Sequence, residues 1–152
     1  MSKFDVMFSQ NSDDWETPKD IYNHFINELK CIDPCPLNSE FNNLDKVFIN
    51  SKIYINPPYS KINKWVNFIY KNLINGCVIY LLIPSRTDTI YFHKLMKFNN
   101  VKSDLYFIKG RLKFGNSKNS APFPSVLIKM ERIGYNIINS YFIERDDIKD
   151  VL

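Results

Sequence analysis

The stretch that most constrains this chain is Ile53-Tyr54-Ile55-Asn56-Pro57-Pro58-Tyr59-Ser60. Its first three residues, apolar and aromatic, read as the end of a buried strand. Two consecutive prolines then stop the strand, since they have no N–H for a ladder and hold φ near about −65°. The backbone there is stiff and its carbonyls are left open. A side-chain amide, a carbonyl and an aromatic ring are thereby fixed side by side at the carboxyl end of a strand, where ligands bind in open α/β sheets.

These groups suit the methylation of an exocyclic amine. The amino group of adenine is a poor nucleophile because its lone pair is delocalised into the ring. The side-chain oxygen of Asn56 and the carbonyl of Pro57 can accept from its two N–H groups and draw the nitrogen towards tetrahedral geometry. The same oxygens stabilise positive charge developing as a methyl arrives. Pro58 completes the rigid turn, and Tyr59 can stack on a base flipped out of a duplex. The competing reading is a plain turn, since all four residue types are common in turns. Placement directly after a strand favours the ligand site.

The remaining composition narrows the class. At 152 residues the chain is the size of one ordinary domain, 1–152, with residues 1–12 expected as a loose terminus and no separate recognition domain. Its first residues are polar and acidic, unlike a secretory signal, and its longest apolar run, 77–84, is too short to span a bilayer. An odd number of cysteines, three, points to reduced thiols in a cytoplasmic setting. His24, Cys31 and Cys35 lack a further ligand pair at usable spacing, so no metal is expected. The net charge of +4 is uneven: 51–134 carries 14 basic and 3 acidic residues. Such a basic centre is the footprint of a polyanion, with a lysine-rich solvated surface as its bland competitor.

Along the chain, Thr17-Pro18 predicts a helix start, with Thr17 as cap and the helix running to about Lys30. Short strands are expected at 31–33 and 52–55, with a separate short apolar run at 46–49, and a helix over 61–73 closed by Asn75-Gly76. Residues 77–83 read as a buried parallel strand, followed by a helix capped by Thr87 or Asp88. Strands follow at 105–109 (continuing through 111–114), 125–130 and 141–144, with 115–124 expected as a mobile loop. This alternation predicts an α/β fold, mostly parallel, covered by helices on both faces, with an antiparallel pair near the C-terminus.

With these residues in view, the chain resembles the phage-type DNA N6-adenine methyltransferases, the Dam-like family of small phage enzymes. The resemblance rests on Asp14-Trp15-Glu16-Thr17-Pro18, Asp33-Pro34-Cys35 and Asn56-Pro57-Pro58-Tyr59-Ser60. It continues through 82–89 with its Arg86, Gly110-Arg111-Leu112-Lys113-Phe114-Gly115, and Ala121-Pro122-Phe123-Pro124-Ser125, spanning roughly 13–130. The arginine-bearing and Gly-Arg-Leu-Lys-Phe segments are the more specific.

The resemblance implies a Rossmann-like fold and S-adenosylmethionine as methyl donor. It also implies double-stranded DNA as partner and a phage or prophage protein acting in the host cytoplasm. By position, Trp15, Thr17, Pro18, Asp33, Pro34 and Cys35 line the cofactor pocket, with Asn56 at its edge. Glu40 and Asp45 are candidates for the ribose hydroxyls. One departure is visible: larger relatives carry a glycine-rich turn after the first strand, whereas the first glycine here is Gly76.

Individual residues carry alternatives. Trp15 either closes over the adenosine ring or staples the first helix to the core. Trp65, on the periodic face of a helix, reads as core, and His93 as structural. Arg86, Lys109, Arg111, Lys113 and Lys118 are candidate DNA contacts, Arg111 with reach to a base edge. Two further functions stand beside the leading one. One is a methyltransferase for another planar nitrogen, in an RNA base or a protein glutamine. The other is a DNA-binding protein with a degenerate methyltransferase fold, which the missing glycine turn would suit.

Overall fold

The computed structural model describes residues 15–36, 43–115 and 119–152. The expected loose terminus, Asp14, Glu40 and Lys118 lie outside these. Five strands form one sheet: β1 (Lys52–Ile55), β2 (Val78–Pro84), β3 (Val101–Ile108), β4 (Ser125–Arg132) and β5 (Ile137–Ile143), in the order β1-β2-β4-β3-β5.

The sheet is mixed, not mostly parallel. β1 pairs in parallel with β2 and β3 with β5, while β4 runs antiparallel to both β2 and β3. The cause is the connection after β3. Among the described residues no helix lies between Ile108 and Ser125, and β4 returns antiparallel. The antiparallel pairs involve β4, and the final strand β5 is parallel to its neighbour. Residues 133–136 carry the chain past the start of β3. Asn100, at φ 62°, holds them there: its carbonyl accepts from the N–H groups of Ile133 and Gly134.

Two apolar layers flank the sheet. On one face α2 (Ile62–Ile74) and α3 (Ile90–Met96) cover the odd-numbered residues of β1 and β2, such as Ile53, Ile55, Leu81 and Ile83. Trp65 is buried in this layer, as its helical spacing predicts. Asn75 and Gly76 close α2; Gly76 adopts φ 83°, and a Cβ there would meet the Asn50 side chain at 2.2 Å. α3 is capped by Thr89 instead of Thr87 or Asp88, its Oγ1 accepting from the Phe92 N–H.

The opposite face packs Tyr54, Tyr80, Leu82 and Leu127 against α1 (Lys19–Asn23), the segment 112–123 and Ile148 of α4 (Ile148–Val151). α1 continues as a π-helical turn over His24–Glu28 and ends at Lys30 in the left-handed region, φ 59°. Its N-cap is Pro18, not Thr17, whose hydroxyl is used elsewhere. Arg145 clamps the C-terminal segment to α1 through two hydrogen bonds to Asp20, at 2.9 and 2.8 Å.

Two strand expectations are corrected, and the apolar run 46–49 finds its place. Residues 31–33 contribute a single parallel bridge, Ile32 to Ile53, at the outer edge of β1. Residues 46–49 form no strand; the Asn72 side chain holds them to α2, its Oδ1 accepting from the Phe48 N–H at 2.7 Å. Gly110 turns the chain at φ 75°, so 111–114 does not continue β3. Within the loop expected to be mobile, Ala121 and Phe123 are buried, as are Leu112 and Phe114 just before it. The Ala121 N–H donates to the Leu112 carbonyl at 2.8 Å.

Candidate active site

The site forms where β1 ends. Residues 52–55 alternate between the two layers, so Tyr54 enters the α1 face and Asn56, two residues on, follows it. Pro57 and Pro58 then prevent further pairing, and the Pro58 carbonyl accepts from the Lys61 N–H at 2.9 Å, closing the turn into α2.

Two partners from the N-terminal segment fix the Asn56 amide. Its Nδ2 donates to the Trp15 carbonyl and, at 3.1 Å, to Thr17 Oγ1. Thr17 Oγ1 is itself hydrogen-bonded to the Tyr54 hydroxyl at 2.7 Å in a buried contact. Both amide hydrogens are thus directed at protein acceptors. Asn56 Oδ1 is buried and meets no partner among the described residues. A buried carbonyl oxygen left this way costs roughly 1–3 kcal/mol unless a ligand fills the gap.

Aromatic rings gather beside this turn, through Trp15, whose carbonyl holds Asn56, and Tyr59 within it. Trp15 and Tyr59 lie nearly parallel, with centroids 6.5 Å apart and planes at 16°. Phe123 contacts both edge-on, at 5.1 Å from Trp15 and 5.3 Å from Tyr59, and Phe114 lies edge-on to the same two rings. The Tyr59 hydroxyl is buried without a partner, and burial pushes its pKa well above the ordinary value. Trp15 therefore belongs with Tyr59, Phe114 and Phe123, a grouping that joins three distant parts of the chain.

Asp33, Pro34 and Cys35 form a second, wired turn beside β1. The Tyr22 hydroxyl donates to Asp33 Oδ2 at 3.0 Å and the Cys35 N–H to Oδ1 at 2.9 Å. The Pro34 carbonyl accepts from Asn43 Nδ2 at 2.6 Å. Burial raises the Asp33 pKa, with the two donated hydrogen bonds opposing it, and burial together with Asp33 pushes Tyr22 up to about 12. Cys35 is pushed up to about 11, first by burial and then by the nearby carboxylate. Pro18 is buried, and Asp45 is exposed on a short turn over Asn43–Asp45.

The basic candidates divide. The exposed Arg86 places its guanidinium 5.8 Å from the Phe123 ring centroid, at the rim of the aromatic group. Lys109 is exposed and pairs with Glu144 at 3.1 Å. Arg111 and Lys113 are exposed on the segment whose alternate residues Leu112 and Phe114 are buried. His93 is exposed, on the outer side of α3, so it is not part of the core. Among the described residues no group of three or more His, Cys, Asp or Glu could hold a metal ion, and no helix is long and apolar enough to cross a membrane.

The family profile of DNA N-6-adenine-methyltransferase (Dam) matches residues 6–150. The chain belongs to the Dam family. Nearly the whole sequence is covered, beyond the segments that carry the resemblance. Among curated proteins none matches this Dam-family chain. The family's activity is methylation of N6 of adenine in DNA.

The sequence did not reveal Phe114 and Phe123 as parts of the site. Their signal was present in hindsight as aromatic residues inside two family-like segments. No periodicity marks them, because each lies in irregular backbone.

Proposed function

We propose that this protein is an S-adenosylmethionine-dependent methyltransferase that acts on N6 of adenine in double-stranded DNA, with residues 1–152 working as a single Rossmann-like unit. One observation carries the reading: the Asn56 amide is held by the Trp15 carbonyl and Thr17 Oγ1 so that Oδ1 is left buried and unpartnered. A preorganised acceptor needs no reorientation when the amine arrives, which is where most of its benefit lies.

In this reading Asn56 Oδ1 accepts from one N–H of the adenine amine and the Pro57 carbonyl from the other. Both oxygens stabilise the positive charge that develops on nitrogen. Pro58 holds the carbonyl in place, and Tyr59 stacks on the flipped base. No general base is required, since the methylated ammonium is acidic enough to release its proton to water. Arg86, at the rim, and Arg111, Lys113 and Lys118 hold the phosphate backbone, with Lys109 first leaving Glu144. Specificity then rests on short loops.

The residues also fit the cofactor. A carboxylate offers about four lone-pair sites, and Tyr22 and Cys35 occupy two on Asp33, leaving acceptors for ribose hydroxyls. Asp33, Pro34 and Cys35 would hold S-adenosylmethionine, with Trp15, Thr17 and Pro18 beside them and Asp45 at the margin. When bound, the cofactor supplies an electrophilic methyl group. The test is incubation with labelled cofactor and, separately, unmethylated duplex DNA, RNA or protein, followed by nucleoside analysis. Label in N6-methyladenine of DNA is expected. Label confined to RNA or protein, or no transfer, refutes the proposal.

A further inference from the structure

Four buried side-chain polar atoms lack a partner among the described residues: His24 Nε2, Asn56 Oδ1, Tyr59 Oη and Ser125 Oγ. The last three gather at one end of the sheet. Ser125 opens β4 and lies opposite Pro84, the last residue of β2. Since β1 and β2 are parallel, with Ile55 opposite Leu81, Asn56 stands level with Leu82 at that same end.

Parity decides the face. Opposed residues point the same way, and facing alternates along each strand. Leu82 is opposite Leu127, and both pack in the α1-side layer with Tyr54. Asn56, two residues after Tyr54, and Ser125, two before Leu127, therefore share that face. They are two strands apart and two residues offset, about 12 Å between Cα atoms for ordinary strand spacing and rise. A single base with a hydrogen bond of about 2.9 Å at each edge spans a distance of that order. Between them the same face presents Leu82, fully buried and apolar. Phe123, two residues before Ser125, reaches back to Trp15 and Tyr59, so one aromatic group spans from the Asn56 turn to the start of β4.

We infer that Ser125 is a base-positioning residue, its hydroxyl donating to a ring nitrogen of the adenine whose amine Asn56 receives. The inference rests on the proposed function and adds a second polar contact to the pocket. It explains why a serine 1% exposed keeps a hydroxyl with no use in the free fold. An acceptor for the amine at one end and a donor for a ring nitrogen at the other together reject a base that lacks the amine. Such rejection arises because a wrong base leaves a buried group unpaired.

The experiment compares wild type, Ser125→Ala and Ser125→Cys in two measurements: thermal unfolding of the free protein, and KM for DNA against kcat. Removing an unpaired hydroxyl should leave the melting temperature of Ser125→Ala at or above wild type. Its KM for DNA should rise about 5–10-fold with kcat little changed, the pattern of lost binding common to ground and transition states. Ser125→Cys, with a weaker donor of similar shape, should lie between. A melting temperature several degrees lower in Ser125→Ala would mark the hydroxyl as structural and overturn the inference, as would an unchanged KM. A wild type that is inactive on DNA overturns the proposed function together with this assignment, whereas an active wild type beside an indifferent Ser125→Ala overturns only the latter.

Discussion

Replacing Thr17 by Val separates stability from activity in one residue. The Thr17 hydroxyl has two partners: the Tyr54 hydroxyl at 2.7 Å and Asn56 Nδ2 at 3.1 Å. Valine keeps the shape and removes both bonds. Tyr54 is 1% exposed, so its hydroxyl is then stranded at a cost of about 1–3 kcal/mol. For a chain of this size 1 kcal/mol moves the melting temperature by roughly 2–4 °C, which gives a fall of about 2–12 °C. Adding Tyr54→Phe removes the stranded hydroxyl, and stability should return to within about 1 kcal/mol of wild type. Activity should not return with it. The Asn56 amide keeps only the Trp15 carbonyl as anchor in both variants, and a loosened acceptor should lower kcat by about 10-fold or more. Calorimetric unfolding and methyl-transfer rates on DNA read the two effects. A Thr17→Val protein as stable as wild type, or a double variant that regains full activity, would refute the bracing role of Thr17.

Asn56→Ala should lower methyl transfer by about 10²-fold or more while leaving cofactor affinity, measured by calorimetric titration, nearly unchanged; normal turnover would remove Asn56 from the chemistry. Lys113→Gln with Lys118→Gln should flatten the salt dependence of DNA binding, followed by fluorescence anisotropy, by about 2 units of slope. An unchanged slope would move the DNA contact towards Lys61 and Lys64, both exposed beside the Asn-Pro-Pro-Tyr turn. Asp33 supplies a pH test. Burial raises its folded-state pKa above the ordinary value of about 3.9, so the folded chain holds that proton more tightly than the unfolded one. Its contribution to stability is present below about pH 4 and is lost as pH rises through the folded pKa. The difference in urea midpoint between wild type and Asp33→Asn should therefore change over that range and level off above it; two parallel profiles would show that Asp33 is not the group responsible.

Local chemistry made much of this protein legible from its sequence. Prolines 57 and 58 end β1 whatever surrounds them, because neither has an N–H to offer. The apolar spacing of 61–73 and the continuous run at 77–83 define a helix and a buried strand without reference to any partner, and the structure has them at Ile62–Ile74 and Val78–Pro84. The family-like segments pointed to the Dam family, and the match over 6–150 shows it.

The tertiary structure decided the rest, since the deciding interactions join residues far apart in the chain. Thr17 reads locally as a helix cap, yet its hydroxyl serves Tyr54 and Asn56, 37 and 39 residues away. The sequence predicts one antiparallel pair near the C-terminus; only tertiary pairing inserts β4 between β2 and β3, antiparallel to both. Residues 115–124 look mobile by composition, yet Ala121 and Phe123 are buried, Phe123 against Trp15 and Tyr59. Sequence determined where the strand stops and which amide stands there. Folding decided which way that amide points, because its two hydrogen-bond partners come from a segment that only packing brings to it.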